Sequence, residues 1–227
     1  MDKTYIKLKV KDYDKLLKFK RSEFLLSIQI SRLINALRII LKRIYEDNLQ
    51  QESSDKLIHT KNTVDLLILL SSTLYEVIKT YKKDIEKKIP QKILSKVNSK
   101  KYIDLKNKYD YQNPDNFCKI LKEIRNKLSF HFDEDIVKKY IDNTNLKEEE
   151  NYILISTSER IIDTFFCLPY DIALSHLDDL GSTSTKNFMF NEFKNQVYTE
   201  SVFLSEFFEY LIIDLLKDHY YKIVESL

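Results

Sequence analysis

The chain has 227 residues and a net charge of +2, with two cysteines, three prolines and one glycine. This length allows one domain with a sizeable core, and a single glycine makes a phosphate-cradling glycine-rich loop nearly impossible. Cys118 and Cys167 are far apart and lack CxxC spacing, which argues against a disulfide scaffold and a cysteine-based zinc site. Because glycine and proline are scarce, we predict a mainly α protein with few tight turns, forming a single domain over residues 1–227.

Two long helices are predicted in the first half of the chain, because apolar residues recur there at helical spacing. The first covers about 13–46 and the second about 56–88, where Pro90 follows and ends it. Shorter helices are expected over 91–108. A polar segment between the two long helices, 47–55, indicates a loop.

Charged residues interrupt the apolar faces of both long helices. Arg32 and Arg38 lie among apolar residues of the first helix, and Glu76 lies among those of the second. Charges in such positions need partners, because an unpaired buried charge is costly. We therefore predict an ion pair between Glu76 and one of these arginines, and we prefer this structural explanation to a catalytic role.

An amphipathic helix is predicted over 113–132. Asn113 precedes Pro114, an arrangement typical of a helix N-cap followed by the first helical position. Residues on one face of this helix are expected to form an apolar stripe: Phe117, Ile120, Leu121, Ile124, Leu128 and His131. At about 100° per residue, Arg125 lies about 120° from His131, at the edge of that stripe.

The second half of the chain predicts further helices and one hairpin. A short helix is expected over 134–142. A second helix is expected to start at Pro169 and to end at about residue 180, before Gly181. The β-branched and aromatic runs at 152–156 and 161–166 indicate a small β-hairpin, an insertion of about 151–168 in the helical domain. A third long helix is predicted over 187–223.

Charge is distributed unevenly along the chain. Residues 133–227 contain 19 acidic and 8 basic residues, a net charge of −11, so residues 1–132 carry +13 to give the overall +2. The segment 79–108 has 11 lysines against three acidic residues, together with tyrosines that include Tyr81 and Tyr102. Lysines and exposed aromatic rings suit single-stranded RNA, although a lysine-rich solvated face is the simpler interpretation of this segment alone.

Arg125, Asn126 and His131 are the candidate catalytic residues. An imidazole titrates near neutrality and is able to accept and then donate a proton, and a guanidinium stays charged and grips two phosphate oxygens. The helix C-terminus and the carboxylates at 133–135 favour the protonated imidazole. The alternative is structural, with His131 a satisfied core histidine and Arg125 a surface ion-pair partner.

The word RNKLSFHFD, with an arginine, an adjacent amide and a histidine six residues after the arginine, resembles the RxxxxxH motif of the HEPN superfamily. The resemblance implies a HEPN-like helical bundle and a metal-independent endoribonuclease that acts as a homodimer on RNA. On this hypothesis Arg125 binds the scissile phosphate, Asn126 orients the groups, and His131 transfers protons. The resemblance also implies a toxin-antitoxin or antiphage abortive-infection effector with a cognate antitoxin or regulatory protein.

One departure from the superfamily concerns regulation. Some HEPN toxins carry a tyrosine two residues after the histidine, where a partner modifies it, and this chain has Asp133 there. Control through that tyrosine is therefore not supported.

Two other function classes are the alternatives to this hypothesis. A non-catalytic HEPN-like module that binds RNA, a nucleotide or a protein is favoured if His131 is buried away from solvent or if Arg125 is held in an intramolecular ion pair. A metal-dependent hydrolase needs clustered histidine and carboxylate ligands, which the spacings do not supply. We therefore expect no cofactor and no metal. Without an apparent signal peptide or apolar span, the sequence predicts a cytoplasmic protein without a membrane partner.

Overall fold

The computed structural model describes residues 4–10, 21–49, 56–94, 99–109, 116–128, 133–144, 155–156, 165–166, 168–182, 190–216 and 220–226. The described chain is mainly helical, as the sequence predicts.

Eight α-helices follow one another through the described chain. They are α1 Arg21–Leu49, α2 Lys56–Thr80, α3 Gln91–Leu94, α4 Ser99–Lys108, α5 Asn116–Lys127, α6 Glu134–Thr144, α7 Leu168–Ser182 and α8 Phe190–Leu216. A π-helical turn, Tyr81–Ile85, and a 3-10 turn, Glu86–Lys88, extend α2 without a break in the chain. The predicted helical segment 56–88 is therefore confirmed, as are the short helices within 91–108 and after residue 133.

Strands pair at the two ends of the described chain. β1 Thr4–Val10 runs antiparallel to β4 Tyr220–Ser226, with Thr4 opposite Ser226 and Val10 opposite Tyr220. The prediction that the last long helix continues to residue 223 is wrong, because α8 ends at Leu216. The β-branched and aromatic residues of 220–224 suit a strand, and pairing with β1 supplies backbone hydrogen-bond partners that no local pattern reveals.

The predicted hairpin falls largely outside the described residues. Within it, β2 Ile155–Ser156 pairs antiparallel with β3 Phe165–Phe166. The rest of 151–168 lies outside the described part of the chain until α7 begins at Leu168, so the full hairpin stays a prediction.

The chain divides into two compact units. Unit 1 contains residues 1–38, 77–112 and 202–227, and unit 2 contains residues 39–76 and 113–201. Helices α1, α2 and α8 each contribute residues to both units. The single domain predicted over 1–227 stays a prediction.

The core of unit 1 is aromatic around Tyr81. The centroid of its ring lies 5.1 Å from that of Phe208 and 6.0 Å from that of Phe207, in tilted and edge-on arrangements. Burial, then the neighbouring Tyr102 and Glu86, raise the pKa of the Tyr81 hydroxyl well above its ordinary value. Its Oη makes no hydrogen bond to a described residue. Other fully buried side chains of this unit include Ile30, Leu37, Ile85, Leu105 and Leu211.

The core of unit 2 combines side chains of α2, α5, α7 and α8. The rings of Phe117 on α5 and Phe193 on α8 lie 6.0 Å apart between centroids. Buried apolar residues of this unit include Leu67, Leu70 and Leu74 of α2, Leu121 and Ile124 of α5, Ile172 and Leu177 of α7, and Val197 of α8. This core fixes α5, which carries the candidate motif.

One helix of the described chain is long and apolar enough to cross a membrane. The segment is Ser22–Glu46 of α1, selected by length and composition alone. Core helices of soluble proteins pass the same test. Cytoplasmic localisation and the lack of a membrane partner stay predictions.

Candidate functional site

Helix α5 presents its apolar face to the core, as the sequence predicts. Phe117, Ile120, Leu121, Ile124 and Leu128 are all buried. These residues recur three and four positions apart, which places them on one side of a helix. Their burial leaves Arg125 half-buried at the edge and Asn126 exposed on the outer side.

The end of α5 differs from the prediction. The helix was expected to continue through Phe132, but it ends at Lys127. The Asp133 N–H donates a hydrogen bond to the Lys127 carbonyl over 3.2 Å. Asp133 also accepts a hydrogen bond at Oδ1 from the Asp135 N–H over 3.0 Å.

Asp133 therefore caps the N-terminus of α6, and capping requires a non-helical backbone at that residue. The negative charges of Asp133, Glu134 and Asp135 suit this helix start as well. His131 lies outside the described residues, so its place relative to Arg125 stays a prediction.

Arg125 is held by two neighbours within unit 2. Its Nε lies 2.8 Å from Glu76 Oε1 on α2, in an ion pair whose angles are not those of a hydrogen bond. Its Nη1 donates to Asn126 Oδ1 over 3.1 Å. Two of the three predicted site residues are thus in direct contact, and Glu76 joins them.

The orientation of the guanidinium follows from which atoms are exposed. Arg125 Nε and Glu76 Oε1 are both buried, yet each side chain keeps 39% of its surface exposed. Exposure must therefore belong to other atoms of these side chains. Nη2 makes no hydrogen bond to a described residue. Glu76 thus holds the inner edge of the guanidinium, and the outer edge is presented to solvent.

The predicted partner of Glu76 is wrong. Arg38 pairs instead with Glu209 on α8, and Arg32 is exposed. Glu76 does form an ion pair, as expected, but its partner is Arg125. Periodicity within one helix does not indicate which other helix packs against it. Sequence reasoning therefore missed Glu76 as a neighbour of the motif.

The outer face of α5 is basic. Lys119, Lys122 and Asn126 are exposed at positions three and four residues apart, and Lys122 precedes Arg125 by one turn. Neither lysine makes an ion pair with a described residue, whereas Lys127 pairs with Glu123 at 3.6 Å. This face offers positive charge beside the presented edge of Arg125.

The lysine-rich segment 79–108 does not form the predicted stacking surface. Tyr81 and Tyr109 are buried, with 1% and 2% of their surfaces exposed, and Tyr102 is half-buried near Glu86. Several lysines also have partners within unit 1, such as Lys82 with Glu86 and Lys108 above the Phe203 ring. Tyr81 and Tyr109 therefore belong to the core, which favours the simpler interpretation of a solvated basic face.

His176 of α7 is a histidine near the motif helix that the sequence did not connect with it. Burial, then the charge of Lys127, lowers the pKa of this imidazole, while Asp179 and Glu123 act in the opposite direction. Its Nε2 is buried and makes no hydrogen bond to a described residue. Burial therefore favours the neutral form of this imidazole.

No group of three or more histidine, cysteine, aspartate or glutamate side chains suited to a metal ion occurs among the described residues. Comparison of the chain with protein-family models, with curated proteins and with solved structures gave no match. The resemblance to the HEPN superfamily therefore depends on the motif residues themselves.

Proposed function

We propose that this protein is a metal-independent, HEPN-like endoribonuclease that acts as a homodimer, with Arg125, Asn126 and His131 in its active site. The observation that supports the proposal is the position of Arg125, whose guanidinium is held at its inner edge by Glu76 and exposed at its outer edge. A preorganised cation of this kind suits the phosphate of a transition state better than a freely rotating one.

The chemistry requires no group beyond those side chains. The ribose 2′-oxygen attacks the adjacent phosphorus, and the bond from phosphorus to the 5′-oxygen breaks. His131 accepts the 2′-hydroxyl proton and supplies a proton to the leaving 5′-oxygen. Arg125 stabilises the charge that develops on the phosphoryl oxygens, and Asn126 holds Arg125 Nη1.

The exposed lysines of α5 support RNA as the substrate. Lys119 and Lys122 lie one turn apart on the same face as Asn126, so a phosphate backbone passing along α5 meets successive positive charges. Each phosphate neutralised in this way releases counterions and adds salt-dependent affinity. Toxin or abortive-infection activity, and a cognate antitoxin, belong to the same proposal through the resemblance alone.

A second candidate is a non-catalytic HEPN-like module that binds RNA, a nucleotide or a protein partner. The ion pair between Arg125 and Glu76 favours it, because a paired guanidinium is less attractive to a phosphate. The strength of the ion pair between Arg125 and Glu76 decides between the endoribonuclease and the binding module. Half-exposed pairs contribute about 0–1 kcal/mol, and this pair leaves Nη2 available. We therefore rank the enzyme first.

Incubation of purified protein with single-stranded RNA in EDTA tests the proposal. The enzyme cleaves the RNA, and it leaves an oligomer of the same sequence with 2′-O-methyl groups intact, because the attacking hydroxyl is blocked. Arg125→Ala and His131→Ala variants, shown to be folded by circular dichroism, lose cleavage. RNA binding without cleavage by the parent protein would favour the second candidate instead.

A further inference from the structure

Unit 2 contains a pocket of about 290 Å³ that lies outside the motif. Residues of three helices line it: Ile44 and Tyr45 of α1, Thr63, Leu67 and Leu70 of α2, and Lys194, Asn195 and Tyr198 of α8. The α2 residues follow one another at intervals of four and three positions, so they form one row along that helix. This volume is near the lower limit of ligand pockets and suits one small, compact group.

The lining of the pocket divides into a floor and a rim. Leu67 and Leu70 are buried and supply an apolar floor. Tyr45 and Tyr198 are 60% and 44% exposed, so their rings form the rim. Lys194 is half-buried, and Asn195 is exposed beside it.

These side chains match the parts of a nucleotide. Tyrosine rings stack on any nucleobase, because every base has a π face. An asparagine amide has a donor and an acceptor side by side, as does the edge of an unpaired base. A lysine ammonium binds phosphate as a point charge. The buried leucines of the lining exclude water from a base held in the pocket.

We propose that this pocket binds the base of one unpaired nucleotide of an RNA strand, with Tyr45 and Tyr198 against the base and Lys194 at its phosphate. The inference rests on the proposed function, since RNA is the substrate there, and it deepens that function by selecting single-stranded RNA. The pocket is also separate from the site formed by Arg125 and Glu76. Leu70 precedes Glu76 by six residues on α2, which is about 9 Å along the helix axis.

The direction around α2 also separates the two sites. Six residues correspond to a rotation of about 240°, so Leu70 and Glu76 lie on different faces of the helix. A substitution at the rim of the pocket therefore leaves the contact between Arg125 and Glu76 in place. Binding at the pocket and cleavage at the motif are separable in experiment.

Fluorescence anisotropy with the full-length protein tests the inference. The probe is a labelled 2′-O-methyl oligomer of about 12 nucleotides, which resists cleavage and spans a typical single-strand site. We expect the Tyr45→Ala/Tyr198→Ala variant to bind it about tenfold more weakly than the parent protein. The Tyr45→Phe/Tyr198→Phe variant, which keeps both rings, should bind within about twofold of the parent.

Tyr210→Ala is the matched control, because Tyr210 is an exposed tyrosine of the same helix, α8, and lies in unit 1. It should bind the oligomer as the parent does. A duplex of the same sequence should compete poorly, since its bases are already stacked and paired. Equal binding by the parent and the double alanine variant, or equal competition by duplex, overturns the inference.

Two further arms identify the source of the nucleotide and separate this inference from the proposed function. If adenosine or uridine monophosphate displaces the oligomer at micromolar concentration, the pocket serves free nucleotides and the assignment to a strand is overturned. Tyrosine-dependent binding by a protein that never cleaves RNA supports the pocket and contradicts the ribonuclease. Cleavage by a protein whose RNA binding does not depend on either tyrosine supports the ribonuclease and contradicts the pocket.

Discussion

Replacement of Glu76 by glutamine removes one charge from the ion pair with Arg125 and keeps the shape of the side chain. For unit charges 2.8 Å apart, Coulomb's law gives about 1.5 kcal/mol in bulk water. Both side chains are 39% exposed, so solvent screening and lost side-chain entropy reduce this. We expect the Glu76→Gln variant to lose at most about 1 kcal/mol of unfolding free energy.

The same substitution is also expected to slow catalysis. If Glu76 orients Arg125 toward the phosphate, the loss of about 1 kcal/mol of positioning slows single-turnover RNA cleavage about fivefold. Arg125→Ala should slow it by about 100-fold or more, as removal of one charge-stabilising donor does in other enzymes. In this account Glu76 affects cleavage through Arg125, so it is a positioning residue.

A double-mutant cycle distinguishes positioning from a general structural role. In the Arg125→Ala background, Glu76→Gln should cause no further loss of cleavage, because the group that it positions is gone. Glu123→Gln is the matched control, since it breaks the other ion pair of this region, with Lys127, and should leave cleavage unchanged. Equal losses in both backgrounds, or faster cleavage by Glu76→Gln alone, would refute the positioning role.

Three further substitutions test the fold by chemical denaturation. Tyr81→Phe should be neutral or raise the unfolding free energy by up to about 1 kcal/mol, because the buried hydroxyl has no hydrogen-bond partner among the described residues; a loss above about 1 kcal/mol would contradict this. Asp133→Ala should cost about 1 kcal/mol by removing the cap of α6, and an unchanged midpoint would count against the cap. The pKa of His176 is lowered in the folded protein, so as the pH drops the unfolded chain binds a proton at a higher pH than the folded chain does. Stability therefore falls as the pH drops from about 6.5 through the folded pKa. His176→Gln should lessen the loss between pH 7.5 and 5.5, and equal slopes for parent and variant would refute this.

Local patterns predicted most helices, because their apolar residues recur at the helical period and are buried in the structure. The segment 56–88 and the buried stripe of α5 follow directly from that period. Local patterns did not predict secondary structure that depends on pairing between segments far apart in the chain. β4 forms at residues 220–226 because β1 pairs with it, more than 200 residues earlier in the chain.

The candidate site shows the same limit. Asn126 adjoins Arg125 in sequence, so their contact was predictable from the motif. Glu76 lies 49 positions before Arg125, and only packing of α2 against α5 brings them together. α5 ends at Lys127, although its apolar stripe pointed to a longer helix. Asp133 caps α6, a role that an aspartate before a helical pattern typically has.

The rate of RNA cleavage in EDTA by the parent protein and by Arg125→Ala is the most direct test of the central claim. Arg32→Ala is the matched control, because it removes an exposed arginine from another helix and lowers the net charge equally. The account predicts cleavage by the parent and by Arg32→Ala, and a rate at least about 100-fold lower for Arg125→Ala. Equal rates for all three proteins would contradict it, since the cleavage would then owe nothing to the guanidinium that Glu76 holds.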